Sequence, residues 1–198
     1  MARKPVGFVD KHRQITDLFY ELCNNLGDSN PIFIKKQLQR FIQEDPDFLE
    51  SYLLLSEILF EEGKVDEGEG MTNTAFTKAI KMITDKNGNW PEVLEWGWLE
   101  NRHIIKAILN KALSYWVKGE TDEALDLFRK LLSTNPGDNP GVRYYILAIK
   151  QGMSYREFEK RFDEGGYFSS KLDHWFEKNY KKFPEEFGWW EKAMEEYL

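Results

Sequence analysis

The chain has one cysteine and three histidines in 198 residues, too few for a disulfide framework and too scattered for a zinc site. Cys23 has no partner for an internal disulfide, and its place on an apolar helical stripe reads as a buried thiol in a reducing compartment. His12, His103 and His174 show neither an H-E-x-x-H spacing nor alternation with cysteine, so no metal and no cofactor is expected. Basic charge is also in deficit. A formal net charge of −7 opposes a surface that tracks phosphates, and the pairs Lys35/Lys36 and Lys181/Lys182 are too short to reverse it, which argues against a nucleic-acid partner. Long apolar runs are missing as well. The longest, "YYILAI" at 144–149, is far below the roughly 20 residues that cross a bilayer, and the basic N-terminus is interrupted by Pro5, Gly7 and Asp10 before an apolar core can form. A cytoplasmic protein with no membrane association is expected. Neither a G-x-x-x-x-G-K loop nor a dinucleotide fingerprint occurs, since Gly68 and Gly70 lack a third glycine and a preceding strand.

What the sequence has is helical periodicity and aromatic residues, among them seven tryptophans. Apolar residues recur at helical spacing between turn signals, and no stretch alternates at period two for long, so the fold class is all-α. Ile15, Leu18, Phe19, Leu22, Cys23 and Leu26 share one face. "GDSNP" at 27–31 then ends that helix and opens the next with Asn30 as N-cap and Pro31 at the first helical position. Pro46 stops the second helix, Gly63 the third and Gly119 a later one, while Asn139 and Pro140 offer a further start. Ser154 and Glu157 have capping-box spacing, and "DEGGY" closes the helix that they begin. Further helices start from Ser170 and Pro184. Short turns between helices of this length predict antiparallel hairpins.

The stretch "GETDEALDLFRKLLSTNP" at 119–136 carries the most specific pattern. With Ile105 as position 1, Ala112, Tyr115, Gly119, Ala124, Phe128 and Pro136 fall in the small, aromatic, turn, small, aromatic and proline places of a tetratricopeptide repeat, which this stretch resembles. A looser copy starts at Leu49 and runs through Tyr52, Leu55, Ser56, Leu59, Gly63, Gly68 and Ala75, with Thr72 where an aromatic is usual. Gly63 and Gly119 lie 56 residues apart, one repeat and an insertion. "ENRHIIKAILNKALSYWVKGETDEALDLFRKLLSTNPGDNPGVRYY" is also similar to the subset of such proteins typified by the suppressor-of-tumorigenicity type.

The resemblance implies a right-handed superhelix of antiparallel hairpins with a C-terminal helical cap. Its parts are a divergent hairpin at 11–45, repeats at 48–83 and 101–138 separated by a Trp-rich insertion at 84–100, a degenerate repeat at 139–163 and a cap at 168–198. It also implies a concave groove for a protein or peptide partner, lined by Glu50, Leu54, Glu57 and Glu61 from one repeat, by Lys106, Asn110, Leu113 and Val117 from the next, and by Arg143. Such a groove is acidic at one end and basic at the other. Leu53 and Glu57 stand where a carboxylate clamp needs Lys and Asn, so that clamp is incomplete. Trp90, Trp96 and Trp98 form either additional core or an exposed aromatic patch, and a Trp-lined pocket sensing a small ligand or peptide is the alternative function. Glu100, Arg102 and His103 are the only polar trio near the insertion, and helix-start capping accounts for them without catalysis. The expected function is non-enzymatic protein binding, and the sequence leaves room for a homo-oligomer.

Overall fold

Glycine in left-handed backbone fixes two of the hairpin turns in the same way. Gly63 has φ 75° and Gly119 φ 80°, a region that a side chain disfavours. At the first, the Lys64 N–H bonds to the Leu59 carbonyl and the Gly63 N–H to Phe60; at the second, the Glu120 N–H bonds to Tyr115 and the Gly119 N–H to Trp116. Each pair of bonds satisfies carbonyls that the ending helix leaves without partners.

A computed structural model describes residues 6–28, 30–164 and 170–197, leaving out the side chains of 28, 196 and 197. It is all-helical, with no β-strand among the described residues. The helices are α1 (Ile15–Asn24), α2 (Pro31–Glu44), α3 (Glu50–Glu61), α4 (Val65–Ile83), α5 (Arg102–Val117), α6 (Thr121–Thr134), α7 (Val142–Lys150), α8 (Tyr155–Phe162), α9 (Ser170–Asn179) and α10 (Pro184–Tyr197). Among the described residues no helix is long and apolar enough to cross a membrane. The glycines of "DEGGY", expected to end α8, fall outside the described residues, as do the ends of the expected C-terminal cap.

The chain divides into two compact units. The first comprises residues 6–91 and 97–111, the second 92–96 and 112 onward, so the expected insertion and α5 each contribute to both.

In the first unit α1 packs on α2, α2 on α3 and α3 on α4. Ile15, Phe19, Leu22, Ile34, Leu38, Phe41, Phe48, Leu55 and Leu59 form the buried cluster, with Leu54, Ile58 and Cys23 half-buried against it. Burying each such side chain contributes roughly 1.5–3 kcal/mol. Gly68 has a packing reason, because a Cβ there would lie 2.9 Å from the Phe60 ring. Thr72, in the usual aromatic place, instead shares a buried hydrogen bond of 2.8 Å with Ser56, whose hydroxyl also reaches the Gly68 carbonyl.

The second unit has an aromatic core. Phe158 lies against Trp116, Tyr145, Phe162 and Trp175, and Phe176 against Tyr144, Tyr180, Phe187 and Trp190. Helix α7 begins two residues later than Asn139 and Pro140 suggest. Gly141 adopts φ 75° ahead of it, and the cap is the carboxylate of Asp138, which accepts N–H bonds from Val142 at 2.8 Å and Arg143 at 3.0 Å. The capping box of α8 forms between Ser154 and Glu157 as expected.

Candidate functional site

The first unit builds a polar floor from its N-terminal strap. Asn101, fully buried, accepts the Asp10 N–H at 3.0 Å and donates to the Phe8 carbonyl at 3.0 Å, tying residues 8–10 to the start of α5. Asp10 then accepts from Arg13 Nε at 2.7 Å and from His103 Nε2 at 3.0 Å, and Arg13 Nη1 reaches both oxygens of Asp45. Burial pushes the Asp10 carboxyl up, yet the bonds from His103 and Arg13 outweigh it and hold the group below the ordinary aspartate value.

An Asp–His pair suggests a general base, but the free nitrogen is taken. The Leu49 N–H donates to His103 Nδ1 at 3.1 Å, so the imidazole proton sits on Nε2 and faces Asp10. A nitrogen that accepts from buried backbone cannot collect a proton from a substrate. His103 is therefore a structural link between α3 and α5.

Above this floor lies a recess of about 350 Å³, with Phe48 at its base and Tyr20 and Leu99 among its walls. Lys11 and Arg102 face it, as do Asp17 and Glu100. Glu50 also lines it and forms an ion pair of 2.6 Å with Lys106.

From Glu50 a stripe runs along α3. Glu50, Leu54, Glu57 and Glu61 recur at intervals of four, three and four residues and so share one face of the helix. Glu57 is open to solvent, yet burial pushes its carboxyl above the ordinary value, with the charges of Glu50 and Glu61 adding and Lys106 opposing. Cys23 of α1 borders the same charges: burial raises its thiol, Glu50 and Glu57 raise it further, and Lys106 opposes. Asn110 and Leu54 are half-buried.

The remaining groove candidates belong to the second unit. Leu113 is half-buried and Val117 is 61% exposed. Arg143 is engaged internally. Its Nη1 bonds to Asp138 Oδ2 at 2.9 Å, its Nη2 bonds to the Tyr144 hydroxyl, and its guanidinium lies 4.1 Å from the Tyr144 ring centroid. Those contacts hold it to the turn before α7, a structural use that groove register does not anticipate.

The tryptophans of the expected insertion differ in exposure and are divided between the units. Trp90 and Trp98 belong to the first unit and Trp96 to the second; Trp90 and Trp96 are half-buried and Trp98 is 50% exposed. In α10, Trp190 turns inward to donate from Nε1 to the Pro136 carbonyl, while the adjacent Trp189 stays exposed. No group of three or more acidic, histidine or cysteine side chains is placed to hold a metal among the described residues.

Sequence spacing did not reveal Asp10, Arg13 and Tyr20 as parts of this site. Only Asp10 and Arg13 left a local signal, an acid and a base three residues apart.

Comparison of the chain with protein-family models, curated proteins and solved structures yields no match.

Proposed function

We propose that the chain is a tetratricopeptide-like protein-binding module that takes a peptide segment on the face shared by α1, α3 and α5. The superhelical stacking of its hairpins belongs to the same proposal. The observation that carries it is the recess beside Tyr20, Phe48 and Leu99, from which Glu50 begins a stripe along α3 that ends in the exposed carboxylates of Glu57 and Glu61. Peptide sites of this kind combine a groove for the chain with pockets for side chains. The engagement of both nitrogens of His103 supports a binding rather than a catalytic reading.

Selection of a phage-displayed random peptide library tests the reading, with the full chain compared to a Leu54→Glu variant that keeps its helical circular dichroism. Peptides retained by the wild type and lost by the variant are expected, and they should slow alkylation of Cys23 on the same face. Selected peptides that bind both forms equally and leave Cys23 alkylation unchanged would remove this face as the site.

A further inference from the structure

We infer that the peptide taken on this face carries a lysine or arginine near a large apolar side chain, the cation against Glu57 and Glu61 and the apolar group in the recess at Tyr20, Phe48 and Leu99. This rests on the reading of the α1, α3 and α5 face as a peptide site and adds the chemistry of its ligand.

The charge argument comes from pairing. Of the three glutamates on the α3 stripe, Glu50 is neutralised by Lys106, while Glu57 and Glu61 form no ion pair among the described residues. Lys35 and Lys64 both bind Glu62, the residue that follows α3. The face therefore retains an excess of negative charge, which attracts a cation and is weakened by salt. The recess itself carries both signs, Lys11 and Arg102 against Asp17 and Glu100, and so selects by shape rather than charge.

The apolar argument comes from exposure. Tyr20 is 44% and Leu99 65% exposed beside a space of about 350 Å³ floored by buried Phe48. That volume is at the small end of ligand pockets and suits one large side chain, and an aromatic one brings the most apolar area. Glu50 joins the two features, because it lines the recess and begins the stripe. Glu57 is two helical turns further on, about 10 Å along the axis. An extended peptide covers that distance in about three residues and a helical one in about seven.

An array of synthetic peptides in a Gly/Ser background tests this, each with one Trp and a Lys, Arg, Glu or Ala placed one to eight residues away. Binding to the full chain is read by fluorescence anisotropy at low and high salt. Lys and Arg peptides are expected to bind about tenfold tighter than Glu peptides, best at a spacing of about three or seven, with the preference shrinking in high salt. The double variant Glu57→Gln, Glu61→Gln should bring Lys and Glu peptides within about twofold of each other, and Leu99→Ser should weaken every Trp peptide. Glu peptides that bind as well as Lys peptides, through a face that Leu54→Glu still abolishes, would overturn this inference and leave the peptide site standing. If no peptide in the array binds the wild type, both fall.

Discussion

The two units bury polar groups by different means. In the first, Asp10 sits among donors that outnumber its desolvation, and its carboxyl is held low. In the second, Asp138 lies deeper, and burial pushes its carboxyl up to about 6 despite the N–H groups of Val142 and Arg143 and the guanidinium of Arg143. Both are carboxylates bridged to arginine. Depth decides the sign, because the loss of water grows with burial faster than a few hydrogen bonds restore it. The contrast extends to function. The stretch that most resembles a tetratricopeptide repeat lies largely in the aromatic unit, where Trp116, Phe128 and Arg143 are engaged in packing. The looser copy leaves Glu57 and Glu61 accessible.

The strongest way to break the comparison is to remove one ring from the aromatic core. Phe158 is completely buried and packs against the rings of Trp116, Tyr145, Phe162 and Trp175, so Phe158→Ala should destabilise by about 3–5 kcal/mol and remove much of the near-ultraviolet circular dichroism. Leu38→Ala, equally buried in the first unit, should lower stability by about 2–5 kcal/mol and leave that aromatic signal largely intact. Equal loss of the aromatic signal in both variants would show that the two cores do not differ in the way described.

A smaller effect separates the buried carboxylates by pH. Asp138 has a folded value near 6 against about 3.9 unfolded, so folding favours its protonated form. Its contribution is greatest below about pH 4 and is lost as pH rises through 6, on the order of 2–3 kcal/mol. Asp10 behaves oppositely: its depressed value adds stability above about pH 4 that is lost as pH falls through its folded value. Denaturant midpoints at steps from pH 3 to 7 should therefore show a decline from 4 to 6 that disappears in Asp138→Asn and an acid limb that flattens in Asp10→Asn. A wild-type profile that rises between pH 4 and 6, with Asp138→Asn parallel to it, would refute the assignment for Asp138.

Helix limits were largely legible because their causes are local. Asn30, Gly63, Gly119 and the Ser154–Glu157 pair each act within a few residues, and each does in the structure what its spacing suggests. The start of α7 was misplaced for a physical reason: a buried aspartate with φ 46° out-competed an Asn-Pro pair, and only tertiary burial makes that geometry worthwhile. Of the site, repeat register named Glu50 and Lys106 but assigned them to opposite, acidic and basic, ends of a groove, whereas they form an ion pair of 2.6 Å. It could not place the recess, whose floor depends on Asp10 meeting His103 across 93 residues and Arg13 meeting Asp45 across 32. Arg143 fitted the register and is nonetheless engaged elsewhere, since sequence spacing records which face a residue occupies and not what already holds it.

The smallest expected effect concerns two helix starts. Asn30 caps α2 in the first unit with one bond, its side chain accepting from the Ile32 N–H at 2.8 Å. Ser154 caps α8 in the second reciprocally: the Glu157 N–H donates to its hydroxyl, and Glu157 Oε2 accepts both its N–H and its hydroxyl. Helix α8 has 8 residues and cannot hold itself by propensity, so its cap must act together with the ring contacts of Phe158 and Phe162. Ser154→Ala should then lower stability by about 1 kcal/mol, and Asn30→Ala by a similar or smaller amount, since α2 is longer and loses one bond rather than a network. Amide hydrogen exchange distinguishes the two mechanisms. In Ser154→Ala the faster exchange should cover all of α8, whereas in Asn30→Ala it should stay in the first turn of α2; faster exchange confined to residues 155–157 would mean that aromatic packing alone holds the helix.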